Sequence, residues 1–198
     1  MDFKDYINTM TKKDYVIADP PWRYRDSGYV SSQLNYSLWS DNIEECKFLF
    51  DHIETNIFLL WVTNSLIEDV FKAFFNSKSD FVYRTMATWV GMTNHHRVSF
   101  GLGNYFRGGT EHLLLFTDKK LKPIRLNISN VFLEEKDKRT RKPRLMEKKI
   151  IKTLQEKGYP MGSYIFSGID IYQFKDFDIE CVDIMKIEKK EGFDFSGL

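Results

Sequence analysis

The feature that most constrains this chain is an alternation of two patterns. Short apolar runs of strand length are separated by segments in which apolar residues recur every three or four positions. The runs are residues 15–18 (Tyr-Val-Ile-Ala), 57–62 (Ile-Phe-Leu-Leu-Trp-Val), 82–90, 111–117, 163–166 and 179–184. A strand with one wet face alternates apolar and polar residues, whereas these runs are close to continuously apolar. Strands acquire that pattern when helices cover both faces of a sheet. The alternation therefore predicts an α/β fold with a mostly parallel sheet and helices on both faces.

Ser65 with Glu68 makes a capping-box pattern, and Leu66, Val70 and Phe74 with Ile67, Phe71 and Phe75 follow at four-residue spacing. This predicts an amphipathic helix with Phe71, Phe74 and Phe75 in the core. A second helix is predicted with Pro143 in its first turn, directing Leu145, Met146, Ile150, Ile151 and Leu154 inward. It ends at Gly158, ahead of Pro160. A shorter helix follows Asp41, through Glu44 to Ile53. The connections at about 23–40 and 91–110 are rich in polar residues and glycine, and loops of that length in a compact domain are usually functional.

With 198 residues, 42% of them hydrophobic, the chain can bury one core, and a single domain over residues 1–198 is expected. Its 29 basic and 28 acidic side chains nearly cancel, so overall charge does not point to a polyanionic partner. Cys46 and Cys181 are far apart and outside any metal-ligand spacing; no metal site and two unpaired thiols are expected. No stretch has the length of a membrane span, and Met1-Asp2-Phe3-Lys4-Asp5 lacks an apolar leader segment. A cytoplasmic protein is the expectation.

The first apolar run ends in Asp19-Pro20-Pro21-Trp22. In open α/β sheets, ligands bind at the carboxyl ends of strands. Two consecutive prolines fix the turn and remove two backbone donors, so the turn is expected to present acceptors only, the Asp19 carboxylate and the Pro20 carbonyl. Two acceptors suit an amino group with two N–H bonds, and Trp22 offers a face on which a base would stack. As an isolated tetrapeptide the motif serves equally well as a strand end with a core tryptophan.

Other segments distinguish the two readings. Tyr-Val-Ile-Ala-Asp-Pro-Pro-Trp resembles the start of the mRNA-adenosine-methyltransferase-like family, whose members methylate adenine N6 in RNA or DNA. Asn35-Tyr36-Ser37-Leu38-Trp39-Ser40 and Leu60-Trp61-Val62-Thr63-Asn64 resemble its next two segments. Trp89-Val90, Gly101-Leu102-Gly103, Phe106-Arg107-Gly108-Gly109 and Glu111-His112-Leu113-Leu114-Leu115 resemble its central block, and Arg141-Lys142-Pro143 its Lys-Pro. The matches occur in the family's order and span about residues 15–185.

The resemblance implies a circularly permuted, Rossmann-like methyltransferase fold that uses S-adenosylmethionine. The catalytic half would be about 14–118, the cofactor-binding half about 140–186 and a tail about 187–198. Asp19, Pro20, Pro21 and Trp22 would be catalytic. Asp19, Lys142, Phe166, Ser167, Gly168 and Asp183 would hold the cofactor, Asp183 through the ribose hydroxyls. Trp22, Tyr36, Asn64 and Glu111 would line the target pocket. The family commonly carries Arg after the late strand and Asn or Glu near the ribose, where this chain has Gly168 and Asp183.

Residues 119–152 hold thirteen Lys or Arg against four Asp or Glu, which suits phosphate contact, above all at Arg139 and Arg141. His95 and His96 are expected at the surface and His112 in a structural role. The partner implied is a nucleic acid, DNA ahead of RNA, bound by a monomer, a homodimer or a pair with a related subunit. Two other readings stay open. One is a catalytically silent partner subunit; the other is a methyltransferase of small molecules or protein amides, whose relatives tend to carry Asn and Tyr where this chain has Asp19 and Trp22.

Overall fold

The computed structural model describes residues 3–24, 38–101, 105–135, 142–165, 177 and 179–182, with the side chain of Arg144 left aside. Its elements are α1 (Phe3–Thr9), β1 (Lys13–Ala18), α2 (Asn42–His52), β2 (Thr55–Thr63) and a 3-10 turn (Asn64–Leu66). They continue with α3 (Ile67–Asn76), β3 (Phe81–Met92), β4 (Thr110–Asp118), β5 (Val131–Glu135), α4 (Arg144–Glu156), β6 (Gly162–Ile165) and β7 (Glu180–Val182).

The strands form one sheet in the order β5-β3-β4-β2-β1-β6-β7. β1 pairs in parallel with β2 and β6, β6 with β7, and β3 with β5; among the described strands, β4 alone runs antiparallel to its neighbours β2 and β3. β1 supplies the reason for the continuous apolar runs. Val16 and Ala18 pack into a cluster under α1, α2 and α3, while Tyr15 and Ile17 face the opposite cluster under α4. From β1 the chain winds to β2 on one side, and from β6 to β7 on the other. The winding therefore reverses between β1 and β6, and open α/β sheets bind ligands at such a point. The late strand beside the first is also what the permuted order requires.

Two predicted helix ends are made as expected. The Asp41 carboxylate accepts from the Ile43 and Glu44 N–H groups at 2.8 and 3.2 Å and caps α2. Gly158, with φ 89°, stops α4 by a double reverse bond, from its own N–H to Gln155 and from the Tyr159 N–H to Leu154.

Four expectations are corrected. The Ser65–Glu68 box is not formed, because the 3-10 turn places Leu66 as the cap of α3 with no side-chain bond. Phe75 is 76% exposed, with Val70 and Ala73 as the buried residues of α3, since the apolar stripe is wider than the face the sheet covers. Leu145 is exposed, and Pro143 caps α4 instead of opening it. The sequence reading also missed two elements, α1 and the edge strand β5.

No described helix is long and apolar enough to cross a membrane. Both cysteines are free thiols. The tail at 187–198 lies outside the described residues.

Candidate active site

β1 ends at Ala18, and the Asp19 N–H continues the ladder by donating to the Ile165 carbonyl at 3.0 Å. The Pro20-Pro21 turn follows, but its carbonyls are not without partners as expected. Trp22 N–H donates to the Pro20 carbonyl and Trp39 N–H to the Pro21 carbonyl, both at 2.9 Å. The chain folds back tightly enough that its next available donors reach the turn. A carbonyl has two lone pairs, so Pro20 retains one acceptor position. Asn42 fastens the following residue from both sides, accepting the Arg23 N–H at 2.9 Å and donating to its carbonyl at 2.7 Å.

Trp22 does not present a stacking face. It is 5% exposed, its indole N–H donates to the Trp61 carbonyl at 3.0 Å, and its ring meets Trp39 edge-on at 4.9 Å. The base-stacking role expected of it is corrected to a packing role, because an indole with a buried acceptor within reach gains more inside than at the rim. Two residues on, Tyr24 is 41% exposed. Its hydroxyl bonds Thr63 at the end of β2, and burial raises its pKa, with the charges of Glu111 and Asp19 adding and that of Lys142 opposing.

Three elements place charges around one point. Asp19 follows β1, Glu111 is the second residue of β4, opposite Thr63, and Lys142 precedes α4. The Lys142 ammonium is 3.0 Å from Asp19 Oδ1, 2.6 Å from Glu111 Oε2 and 4.9 Å from the centre of the Trp61 ring. The three side chains are 13–21% exposed, so the cluster keeps an open edge. Burial lifts Asp19 to about 6, with Lys142 opposing and Glu111 adding to the rise. Burial works against the Lys142 charge, but Asp19 and Glu111 outweigh it and raise its pKa, so the ammonium stays protonated.

Sequence reasoning missed Glu147. It is fully buried, and its Oε1 accepts from Trp61 Nε1 at 2.9 Å and from the Tyr164 hydroxyl at 2.6 Å. Burial raises it to about 7, against the pull of those two bonds. A signal was present: Glu147 and Ile151 are four residues apart on the apolar face of α4, where a carboxylate needs partners. α4 itself is positioned from β5, since the Glu134 carboxylate accepts the Leu145 and Met146 N–H groups at 2.7 and 3.0 Å.

Asn64 is at the same end of the sheet, held by Thr110 at 3.1 Å and by His112 Nε2. His112 also bonds Thr88 at 3.0 Å and has its pKa lowered by burial, so its contacts are those of a structural residue. His95 and His96 are exposed. The basic stretch is not one track toward the cluster: Lys119 pairs with Asp80 beyond the far end of β4, while Lys142 lies inside the site. Tyr36, Arg139, Arg141, Phe166, Ser167, Gly168 and Asp183 lie outside the described residues. A cavity of about 310 Å³ between Lys12, Asp51 and Asp118 opens at the opposite end of the strands from Asp19, away from the switch point.

No curated protein matches the chain in sequence. Among solved structures, the chain is similar to one described as the crystal structure of the M1.HpyAVI–SAM complex. The TM-score is 0.55 at 19% identity, over 96% of this chain and 93% of that one, which shows a shared fold. The MT-A70 family profile matches residues 13–162, from the start of β1 to the start of β6, and includes Asp19, Glu111 and Lys142. On that match, the chain belongs to the MT-A70 family and is an S-adenosylmethionine-dependent methyltransferase.

Proposed function

We propose that the protein transfers a methyl group from S-adenosylmethionine to the N6 amine of adenine in a nucleic acid, with DNA as the first substrate to test and RNA the second. The observation that carries this reading is the position of Asp19. Its carboxylate stands at the carboxyl end of β1, at the switch point of the sheet, 3.0 Å from Lys142 and with an open edge.

The residues present fit the cofactor. Among the described residues, Asp19 and Glu111 face one ammonium, that of Lys142, and this excess of negative charge complements a sulfonium cation. Asp19 and Lys142 are the described residues that would hold it, with Phe166, Ser167, Gly168 and Asp183 as the further candidates. When bound, it supplies an electrophilic methyl group.

The adenine amine is a weak nucleophile because its lone pair is delocalised into the ring. Asp19 and the remaining lone pair of the Pro20 carbonyl accept its two hydrogens, aim the nitrogen and offset the positive charge that develops on it. Positioning of this kind accounts for about 7–11 kcal/mol of barrier in well-oriented reactions. As the N–C bond forms, the bond from the methyl carbon to the sulfonium sulfur would break and leave a neutral thioether, and the nitrogen would carry one proton too many. Asp19, with a pKa of about 6, is suited to receive it and pass it to solvent. Lys142 keeps Asp19 ionised near neutral pH despite its burial. Tyr24 supplies the exposed ring against the base, and Trp22 with Pro21 holds the turn in shape.

Asp19→Ala tests the reading. The variant keeps its circular dichroism spectrum and loses methyl transfer by about 100-fold or more, the scale of removing one preorganised partner from a transition state. Activity equal to that of the wild-type protein overturns the proposed role.

A further inference from the structure

Between β3 and β4 the chain makes an excursion, of which residues 93–101 and 105–109 are described. The Thr93 N–H donates to the Arg97 carbonyl at 2.8 Å, Met92 bridges Val98, and Ser99 N–H returns to the Gly91 carbonyl at 2.7 Å. Gly91 N–H in turn donates to the Gly109 carbonyl at 2.9 Å. The passes are close enough that a Cβ on Gly109 would lie 3.1 Å from the Val98 side chain. Backbone bonds give the described part of this segment its shape, and its described side chains join no core cluster.

Its large side chains face outward. Phe100 is 63%, Tyr105 98% and Phe106 93% exposed, and none joins either hydrophobic cluster. Three exposed rings on the described part of one excursion forgo burial that a folded domain normally takes, and such patches mark docking surfaces. Residues 93–110 contain Arg97, Arg107 and two histidines but no acid. The Arg107 guanidinium lies 6.0 Å from the centre of the Phe100 ring, and its Nε donates to the Gly101 carbonyl at 3.2 Å. Rings for bases and guanidinium groups for phosphates are the equipment of single-strand binding. The excursion returns directly into Thr110, which bonds Asn64, and Glu111, which holds Lys142.

We propose that Phe100, Tyr105 and Phe106, with Arg97 and Arg107, form a platform for the unpaired nucleotides that flank the target adenine. This rests on the function proposed above and adds the form in which the substrate is engaged, as single-stranded nucleic acid on this loop. A second copy of the chain fits less well, because a two-fold contact would set this acid-free surface against itself.

The test measures fluorescence anisotropy of a short fluorescein-labelled single-stranded DNA containing one adenine, with the full chain and with Tyr105→Ala/Phe106→Ala. Two stacked rings at about 1–3 kcal/mol each predict at least ~30-fold weaker binding, with unchanged thermal unfolding. Tyr105→Phe/Phe106→Tyr restores it. Arg107→Gln lowers the slope of log Kd against log salt by about 0.7. Wild-type protein that does not bind the probe, or a double variant with wild-type affinity, overturns the platform. So does a wild-type dimer that the double variant dissolves without loss of affinity, as read by light scattering. Nucleoside analysis of the same mixtures, with S-adenosylmethionine added, separates the two claims. Binding that depends on the rings with no N6-methyladenine formed retires the adenine assignment and leaves the platform, whereas methylation and binding equal in both proteins retire the platform alone.

Discussion

The buried carboxyl group of Glu147 accepts the indole N–H of Trp61 at 2.9 Å, joining the first turn of α4 to the last residues of β2. The other two functions of Trp61 lie on the cluster side. Its ring faces the Lys142 ammonium at 4.9 Å, and its carbonyl receives the Trp22 indole at 3.0 Å. One side chain thus connects the carboxylate in the core, the ammonium between Asp19 and Glu111, and the double-proline turn.

Activity is predicted to depend on the ionisation of Asp19. Below about pH 6 its carboxyl group holds a proton and loses one acceptor position. The rate at low substrate concentration therefore rises through that pH and levels off above it, with Lys142 charged throughout. In Glu147→Gln the midpoint stays near the same pH, because Glu147, raised to about 7, is mostly protonated and uncharged where Asp19 titrates. A pH–rate profile of both proteins checks this; a rate that does not change around pH 6, or a midpoint that moves in Glu147→Gln, contradicts it.

Stability should show the same groups with the opposite slope. Asp19 and Glu147 have raised pKa values, about 6 and about 7, from ordinary values of 3.8 and 4.5. Between about pH 4 and 7 the unfolded chain releases protons that the folded chain still holds, so stability falls as pH rises through this window. Glu147→Gln removes the upper part of the fall, on the order of 1–3 kcal/mol. Urea unfolding at pH 5 and pH 7.5 measures it, and a wild-type protein equally stable at both values counts against the buried carboxyl.

Trp22 and Tyr24 are predicted to fail in different ways. Trp22→Phe leaves the buried Trp61 carbonyl without its donor and costs about 1–3 kcal/mol of stability, with little change in KM for nucleic acid. Tyr24→Ala leaves the melting temperature in place and raises that KM by roughly 5-fold or more, the loss of one stacked base. Reversed outcomes would return the stacking role to Trp22.

Gly162→Ala is predicted to unfold at a markedly lower temperature. A Cβ there would fall 2.1 Å from the ring of Tyr15, its fully buried partner on β1, and neither strand has room to withdraw. A melting temperature within a degree or so of wild type contradicts this tight β1–β6 contact.

How much of this was legible in the sequence follows from which interactions are local. β1 and β2 declared themselves because both faces of a central strand are apolar, and Asp41 and Gly158 because a cap is decided within a few residues. β5 was missed because its burial alternates, with Val131 and Leu133 half or more exposed and two glutamates at its end. The purpose of Glu134 appears only when α4 arrives to be capped. α1 was missed because it buries only Phe3 and Ile7.

In the site, Asp19, Glu111 and Lys142 were named in advance and converge. The backbone partners of Pro20 and Pro21, and the burial of Trp22 beside a more exposed Tyr24, were not foreseen. Both depend on where Trp39 and Trp61 sit, and no spacing within the motif records that. Glu147 was overlooked because its partners, Trp61 and Tyr164, come from strands outside its own helix.

The central claim is tested most directly by incubating the purified protein with S-adenosylmethionine and separate pools of DNA and RNA, then identifying the methylated nucleosides by mass spectrometry. The account predicts N6-methyladenine, absent from the Asp19→Ala reaction. Methylated cytosine alone, or N6-methyladenine at equal yield from Asp19→Ala, would contradict it.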